Sequence, residues 1–340
     1  MLAIQKNIQL QPYNTFGINA IASNFIEVCD IDTLKEIILN YKQNYDQLFI
    51  LGGGSNILFT KDVEGLTIKN NIKGINIVHV NETEIELEVK SGTIWHDLVT
   101  YAVNNGYQGI ENLALIPGTV GAAPMQNIGA YGVEICDVLT SVHAIDLSDG
   151  KSKIFNNKDC KFGYRESIFK NIEKNKYFIY SINILLKKKD YNINIEYGDI
   201  KNILLKNGIT DIAIKDIYNA VIEIRSSKLP NPKELGNAGS FFKNPEIDNT
   251  LLQKLLLQYP NMPHYLLENG NYKIPAAWLI EQSDFKGKIV GNTGNHSKQA
   301  LVIVNYGNAS GDEILNHAYH VINIVLDKFK IQLSPEVNIL

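Results

Sequence analysis

Cysteine is scarce in this chain, with three residues among 340. Cys29, Cys136 and Cys160 lie far apart in the sequence and are odd in number. This pattern does not fit the even, spaced set of a disulfide framework. It predicts three reduced, buried thiols in a cytosolic protein.

Excess positive charge and long apolar runs are also missing. The formal net charge is −4, whereas a nucleic-acid-binding protein needs a basic face. No apolar run reaches the roughly 18 residues of a membrane-spanning helix, and residues 1–14 hold no apolar signal region. We therefore expect a cytoplasmic protein that binds neither nucleic acid nor membrane. The length predicts two or three domains.

Several common motifs are absent. The glycine-rich segment 52–56 reads G-G-G-S-N, which is not G-x-G-x-x-G and lacks the lysine of a P-loop. The G-x-S-x-G motif of a serine nucleophile is absent as well. His317 and His320 stand three residues apart, but no third ligand is spaced to match them. We interpret both as surface or boundary residues and expect no metal site.

Glycine and alanine are concentrated in the stretch 109–134, which carries almost no charge. A glycine run costs backbone entropy, and its usual use is close approach of something to the main chain. Exposed amides in such loops bind phosphate. The alternative is a buried, glycine-rich crossing of the core. The second glycine-rich segment, 52–56, favours two walls around one ligand.

The hydrophobic periodicity predicts both helices and strands. Asp32 and Thr93 are expected to cap helices with apolar residues at three- and four-residue spacing. Ser310 and Glu313 form a predicted capping box for a long helix. Residues 331–340 alternate in polarity, which predicts a half-buried final strand, and the prolines within 229–232 predict a domain boundary. Further strands are predicted near 25–29, 47–51, 84–90, 177–186 and 300–304, and further helices near 216–227, 249–258 and 275–281. Residues 142–154 predict a hairpin that turns at Ser148-Asp149-Gly150.

Three residues are candidates for chemistry, each with a simpler alternative. Arg165 is suited to clamp an anion or to stabilise developing negative charge, and a surface salt bridge to Glu166 explains it equally well. Ser240 stands beside small residues and before two phenylalanines, where it is a candidate proton donor. An isolated serine is more often a helix cap or part of a turn, because its hydroxyl is a weak acid without a relay. Glu336 lies on the polar side of the final strand, where an ordinary solvated face is the simpler interpretation.

Five motifs together resemble those of the UDP-N-acetylenolpyruvoylglucosamine reductases, a family of flavoenzymes in peptidoglycan precursor synthesis. The resemblance runs from Asn14 to Glu336. Tyr197-Gly198-Asp199 and the chain length resemble the longer subclass, in which a tyrosine loop covers the substrate. The motifs are G-G-G-S-N at 52–56, E-N-L-A-L-I-P-G at 111–118, Q-N-I-G-A-Y-G at 126–132, F-G-Y-R-E-S at 162–167 and N-A-G-S-F-F-K-N-P at 237–245.

The resemblance implies an α+β fold of the vanillyl-alcohol-oxidase type, with two FAD-binding subdomains and a C-terminal substrate-binding domain. Residues 1–70 form the first subdomain, which the strand at 331–340 completes. Residues 71–229 form the second subdomain, and residues 230–330 form the substrate domain.

The resemblance also implies FAD as the cofactor and NADPH as the co-substrate. Some relatives of this flavin fold attach FAD covalently through a histidine in the first glycine loop, where this chain has Ser55 and Asn56, so we expect noncovalent FAD. The residues expected at the cofactor are Gly52, Gly53, Gly54, Ser55, Asn56, Pro117, Gly118, Gly121, Ala122, Gly129 and Arg225.

The implied reaction reduces an enolpyruvyl ether of a UDP-sugar. Ser240 matches the proton donor to C2, while Arg165 and Glu336 match the residues that stabilise charge at C2 and the carboxylate. We expect a monomer whose partners are the UDP-sugar and NADPH. The residues expected at the substrate are Tyr197, Lys228, Asn244, Lys273 and Gln299.

Two other functions stay open from the sequence. Another FAD-dependent oxidoreductase of the same fold would share the glycine loops but not the 237–245 motif or Glu336. A noncatalytic UDP-sugar sensor would bind the nucleotide sugar without flavin turnover.

Overall fold

A computed structural model describes residues 3–189 and 191–340, except for the side chain of Tyr41. Helices and strands are mixed along the chain. The helices are α1 (Ile31–Glu36), α2 (Trp95–Asn104), α3 (Ile200–Lys206), α4 (Ile214–Lys228), α5 (Asn249–Gln258), α6 (Ala276–Glu281) and α7 (Gly311–Phe329). The strands are β1 (Gln5–Gln9), β2 (Ile21–Val28), β3 (Leu48–Leu51), β4 (Ile57–Leu58), β5 (Val63–Asn70), β6 (Ile75–Val80), β7 (Glu84–Lys90), β8 (Gly129–Ala130), β9 (Val133–Glu134), β10 (Leu139–Asp146), β11 (Ser152–Asn156), β12 (Tyr177–Lys187), β13 (Gly236–Ser240), β14 (Glu246–Ile247), β15 (Tyr265–Leu266), β16 (Tyr272–Lys273), β17 (Ile289–Val290), β18 (Thr293–Asn295), β19 (Val302–Asn305) and β20 (Asn338–Ile339).

The described residues form two compact units. The larger unit contains 3–8, 22–53 and 64–227, and the smaller unit contains 9–21, 54–63 and 228–340. The division into two FAD-binding subdomains and a substrate domain stays a prediction.

Two large sheets and the two-stranded sheet β8-β9 lie in the described part of the larger unit. One has the strand order β1-β2-β5-β3, and β3 runs parallel to β5. The other has the order β11-β10-β12-β7-β6, with β10, β12 and β7 joined as antiparallel neighbours. In β7 the apolar residues Ile85, Leu87 and Val89 alternate with charged ones and are buried, which is the pattern of a strand with one face on a core.

Helices α2 and α4 contribute apolar faces to that core. In α2 the buried residues include Trp95, Leu98 and Val99, and in α4 they include Ile217 and Val221. Spacings of three and four place each set on one side of its helix. This packed core carries the loops of the central glycine-rich stretch.

The smaller unit combines short strands with the long helix α7. Its sheets have the orders β13-β19-β18-β17, β14-β16-β15 and β20-β4. The rings of Tyr259, Trp278 and Phe329 contact one another with centroids 5.2 to 5.7 Å apart. This aromatic cluster packs α6 and the end of α7 into one core.

Two predicted helix caps are wrong. The side chain of Asp30, rather than Asp32, accepts a hydrogen bond from the Thr33 amide at 2.7 Å at the start of α1. Helix α2 follows Ile94 without a side-chain cap, and the Thr93 hydroxyl instead accepts from the Gly74 amide. Asp32 and Thr93 each have a side chain that can cap a helix, but the backbone enters the helix after Asp30 and after Ile94 instead.

The predicted capping box of α7 forms only in part, and the predicted final strand is shorter. Ser310 accepts from the Glu313 amide at 3.1 Å, but the Glu313 carboxylate accepts from the Asn292 amide. Residues 331–340 contain only the two-residue strand β20. The alternation is still present, because Ile331, Leu333 and Val337 are buried.

The three cysteines are free thiols, but only Cys160 is buried. Burial raises the pKa of Cys160 to about 12. Cys136 is half-buried and Cys29 is exposed, so the prediction of three buried thiols is wrong for these two. Within the part of the chain that the structure describes, no helix combines the length and the apolar character needed to cross a membrane.

Candidate functional site

The two glycine-rich segments contact each other in the larger unit. A Cβ atom added to Gly53 would lie 2.8 Å from the Gly118 Cα, and one added to Gly52 would lie 2.9 Å from the Thr119 Oγ1. Real Cβ atoms essentially never approach so closely, so both positions require glycine. A side chain at Gly53 would therefore force the backbones of the two segments apart.

The buried Thr119 hydroxyl has no hydrogen-bond partner among the described residues. A buried polar group without a partner costs about 1–3 kcal/mol. A ligand group that hydrogen-bonds to this hydroxyl would therefore bind favourably here. Nearby, the Lys69 ammonium donates to the Gly52 carbonyl at 2.7 Å. Burial lowers the pKa of Lys69. A half-buried cation beside a glycine loop suits an anionic group such as a pyrophosphate.

The other residues of the 109–134 stretch that are expected near Gly118 at the cofactor lie in a loop of short turns. Pro117 and Ala122 are exposed, and Gly121 is half-buried. The Gly121 amide donates to the Ser91 carbonyl, and the Ala122 amide donates to the Thr119 carbonyl. These two amide protons are engaged within the fold, so a ligand would contact this part of the loop through other atoms.

Gly129 begins a hairpin that carries two residues in left-handed backbone conformation. Strands β8 and β9 pair around Tyr131, with φ of +52°, and Gly132, with φ of +77°. A two-residue turn with positive φ at both positions matches the twist of a hairpin, but it normally selects asparagine or glycine. Tyr131 is therefore held in an unusual conformation for its type.

Two arginines surround this hairpin. The Arg165 Nη2 donates to the Gly129 carbonyl at 2.8 Å. Burial lowers the pKa of Arg225, the charge of Arg165 lowers it further, and a hydrogen bond with Tyr131 opposes both effects. The Arg225 Nε is buried without a hydrogen-bond partner in the described part of the chain. Two guanidinium groups that repel each other would be stabilised by an anion.

Arg165 lies at the tip of a tight turn. The amides and carbonyls of Gly163 and Glu166 hydrogen-bond to each other at 3.1 Å, and Arg165 has φ of +55°. Such a conformation is uncommon for a residue with a side chain and is often found at functional sites. The turn fixes the direction in which the guanidinium leaves the backbone.

In the smaller unit, Ser240 and Glu336 lie on neighbouring segments. The Glu336 amide donates to the Phe241 carbonyl at 2.8 Å, and the Lys243 amide donates to the Ser334 carbonyl at 2.9 Å. These antiparallel bonds place the backbone of Glu336 beside the residue that follows Ser240. Two candidates that are 96 positions apart in sequence are thus brought together.

The remaining glycine-loop residues belong to the same unit. Gly54 has φ of +63°, and a Cβ atom there would overlap the Tyr13 carbonyl oxygen. Ser55 and Asn56 are half-buried. The Asn56 side chain contacts the Glu336 carbonyl at 3.4 Å. The predicted cofactor loop therefore contacts the backbone of Glu336, the predicted catalytic residue.

Three predicted substrate residues surround this part of the smaller unit. Gln299 precedes Leu301, whose carbonyl accepts from the Phe241 amide at 2.8 Å. Asn244 accepts from the Ala276 amide through its side chain at 2.9 Å. Lys273 pairs with Glu246, two residues beyond Asn244.

The other two predicted substrate residues are placed differently. Lys228 is exposed at the end of α4. Tyr197 belongs to the larger unit, where its side chain is 56% exposed. The ring of Tyr197 is therefore accessible to a ligand.

The sequence alone missed Lys69, Thr119 and Tyr131. Thr119 follows the Pro-Gly pair of a recognised motif, and Tyr131 lies inside another, so motif membership was the available signal. Nothing in the sequence around Lys69 indicates that its ammonium reaches Gly52.

The interpretation of His317 as a surface or boundary residue is wrong, whereas His320 is exposed as expected. His317 is 4% exposed and hydrogen-bonded to the Asn295 Oδ1 at 2.8 Å. The structure gathers no group of three or more metal-ligating side chains within residues 3–189 and 191–340.

Comparison with known proteins places these features in one family. Residues 22–155 match the FAD binding domain family, and residues 231–340 match the C-terminal domain of UDP-N-acetylenolpyruvoylglucosamine reductase. The reductase from Flavobacterium johnsoniae is 47% identical over 339 residues, with 100% of each chain covered. That from Neisseria meningitidis serogroup C is 44% identical, with 99% of this chain and 98% of the relative covered.

A solved structure supports the same fold. The reductase from Thermus caldophilus superposes with a TM-score of 0.69 at 21% identity, over 100% of this chain and 99% of the other. At that identity the likeness concerns the fold, while the identity to the Flavobacterium and Neisseria proteins concerns the family. On these grounds the chain belongs to the UDP-N-acetylenolpyruvoylglucosamine reductase family.

Proposed function

We propose that this chain is the FAD-dependent enzyme that reduces UDP-N-acetylenolpyruvoylglucosamine to UDP-N-acetylmuramate with NADPH, in peptidoglycan precursor synthesis. The observation that carries the proposal is the 47% identity to a reductase of that name over the whole of both chains. It is supported by the position of Glu336 beside the residue that follows Ser240.

The residues of the larger unit fit FAD. The close contact of Gly53 with Gly118 holds the two glycine-rich segments together, and the Thr119 hydroxyl and the Arg225 Nε, which have no hydrogen-bond partner among the described residues, offer polar contacts to a ligand. We assign the cofactor pyrophosphate to the Gly52–Gly53 and Gly118–Thr119 segments, with Lys69 behind them. When bound, FAD accepts a hydride from NADPH and supplies one from N5 to the vinyl carbon C3 of the substrate.

Ser240 is the proposed proton donor to C2. A serine hydroxyl is a weak acid, so it needs a relay through water or a charged neighbour. Glu336 is on the adjoining segment, which makes its carboxyl a candidate neighbour. Proton delivery to C2 completes the addition of two hydrogens across the double bond.

Arg165 and Glu336 are the proposed residues that stabilise charge at C2 and the substrate carboxylate. The guanidinium is fixed by its bond to the Gly129 carbonyl, so it does not have to reorganise as charge develops. Such preorganised contacts are worth about 3–4 kcal/mol of barrier each. The nearby Arg225 adds positive potential in the same unit.

Tyr197, Lys228, Asn244, Lys273 and Gln299 are the proposed substrate-binding residues. Lysines act on a diphosphate as mobile point charges, and the exposed ring of Tyr197 is available to lie over the nucleotide. We further propose that the enzyme is cytoplasmic and monomeric.

Absorption spectroscopy of the FAD-loaded protein tests the proposal. Under anaerobic conditions NADPH is expected to bleach the flavin, and the enolpyruvyl UDP-sugar is expected to restore its colour with formation of the saturated product. Recovery with oxygen but not with the sugar would instead establish an oxidase. Binding of the sugar without any colour change would establish a sensor.

A further inference from the structure

The buried side chain of Asn112 connects two loops of the larger unit. Asn112 lies in the short 3-10 turn Glu111–Leu113 and is 0% exposed. Its Nδ2 donates to the Tyr131 carbonyl at 3.1 Å and to the Asn194 carbonyl at 2.9 Å. One amide group therefore joins the Tyr131 hairpin to residues 191–199, the segment that carries Tyr197.

A second set of contacts holds the same two loops together. The Asn194 Nδ2 donates back to the Gly132 carbonyl at 3.2 Å. A Cβ atom on Gly132 would lie 2.8 Å from that Nδ2, and one on Gly198 would lie 3.2 Å from the Tyr131 ring. The loops lie in close contact, and the positive φ angles of Gly132 (+77°) and Gly198 (+70°) favour glycine on both of them.

The segment 191–199 is held in place on the larger unit, while the side chain of Tyr197 remains exposed. Ile193 and Ile195 are half-buried and pack against the core of the larger unit. Tyr197, between these anchors and Gly198, keeps 56% of its surface exposed. The ring is therefore presented to solvent on a backbone whose position is already fixed.

The other loop that Asn112 holds carries Tyr131, which is hydrogen-bonded to Arg225. Asn112 thus sets the distance between the Tyr197 backbone and the Tyr131–Arg225 pair. We propose that Asn112 is a positioning residue for substrate binding: it fixes the Tyr197 loop before the UDP-sugar arrives and so raises affinity without taking part in the chemistry. This inference rests on the proposed contact of Tyr197 with the substrate.

The physical basis is the ordering of a loop before binding. A loop that is already ordered does not lose its conformational freedom when the ligand binds, so affinity rises without new contacts. The Asn112 Oδ1 is buried without a hydrogen-bond partner among the described residues. A substitution by leucine, which is similar in size, therefore removes the two donated bonds but no accepted one.

The experiment compares Asn112→Leu with Asn194→Ala in the FAD-loaded enzyme. Asn194→Ala removes the bond to Gly132 but leaves the main-chain carbonyl that accepts from Asn112. Hydrogen exchange of residues 191–199 is expected to be about tenfold faster in Asn112→Leu and less affected in Asn194→Ala. For Asn112→Leu the KM for the UDP-sugar is expected to rise about tenfold, with kcat and the rate of flavin reduction by NADPH within about threefold of wild type.

Gly198→Ala provides an independent variant if Asn112→Leu does not fold. Its methyl group would lie 3.2 Å from the Tyr131 ring, and φ at Gly198 is +70°, so the substitution displaces the same loop from an exposed position. Faster exchange in the loop with a higher KM is again the supporting result.

Two results would overturn the inference. One is unchanged exchange of residues 191–199 in Asn112→Leu, and the other is a released loop with an unchanged KM for the UDP-sugar. If the proposed function itself is wrong, the wild-type enzyme will not turn over the UDP-sugar at all. The comparison of hydrogen exchange would still decide whether Asn112 holds the loop.

Discussion

The amide of Glu336 donates a 2.8 Å hydrogen bond to the carbonyl oxygen of Phe241. Phe241 follows Ser240 directly, so the proposed acid and the proposed charge-stabilising carboxylate are fixed by backbone contacts rather than by mobile loops. Side chains on such rigid segments are positioned more accurately than side chains on free loops.

Replacement of Ser240 by alanine tests the assigned proton donor. We expect flavin reduction by NADPH to be retained and turnover of the enolpyruvyl sugar to fall about 10²- to 10³-fold, because the proton to C2 is no longer supplied. Stopped-flow absorbance separates the two half-reactions. Ser334→Ala, on the adjoining segment at an exposed position, is the matched control, and equal effects of the two substitutions would refute the assignment.

Replacement of Gly53 by alanine tests the contact of the two glycine-rich segments. The new methyl group would lie 2.8 Å from the Gly118 Cα, so the backbones must separate and the affinity for FAD is expected to fall at least about tenfold. Flavin fluorescence during titration of the apoprotein gives the Kd. Gly163→Ala is the control, since its Cβ would have an ordinary 3.8 Å contact, and the same loss of affinity there would argue against a local effect.

The buried His317 predicts a loss of stability in acid. Burial lowers its pKa from 6.5 to about 4, so the unfolded chain binds a proton at a higher pH than the folded chain does. Stability is therefore expected to fall as the pH drops from about 6.5 to 4, by roughly 3 kcal/mol from this residue. Urea unfolding at several pH values measures the slope.

A glutamine at position 317 is expected to flatten that slope, because its amide can still donate to the Asn295 Oδ1 and does not titrate. His79→Gln, at an exposed position on β6, is the control. An equal pH dependence in wild type and His317→Gln would exclude His317 as the source.

The caps at the start of α1 give a small but direct test. Asp30 accepts from the Thr33 amide and hydroxyl, and these bonds lower its pKa. Asp30→Ala is expected to lower the free energy of unfolding by about 1 kcal/mol, and Asp32→Ala by less, as judged by urea denaturation. The opposite order would restore Asp32 as the cap.

Local patterns in the sequence predicted much of the fold. The strand Glu84–Lys90 and the helix Asn249–Gln258 have the predicted bounds, because side-chain periodicity acts within a few residues. The predicted cap of α1 was wrong because Asp30 and Asp32 both have a suitable side chain and only backbone geometry selects between them. The predicted cap of α2 was wrong because that helix begins after Ile94, which has no capping group. Residues 331–337 alternate but form no continuous strand, since only Pro335 pairs, as an isolated antiparallel bridge to Phe242.

The motifs and the resemblance to the family supplied the three candidate residues for chemistry. Arg165 and Ser240 lie inside two of the five motifs, Glu336 lies at the end of the resemblance, and the roles of all three stay predictions. Lys69 and Asn112 act through contacts with distant parts of the chain, such as the bond from Asn112 to Asn194 across 82 positions. Local sequence patterns do not predict which backbone carbonyl such a side chain will contact.

The pairing of β4 with β20 has a consequence for biosynthesis. Ile57 and Leu58 pair with Asn338 and Ile339, and Thr60 donates to the carbonyl of Leu340, 280 residues later. During translation, β4 leaves the ribosome long before its partner strand is made. The nascent chain must therefore carry an unpaired strand edge next to the glycine loop through most of its synthesis, and the smaller unit is completed only after the larger unit has been made.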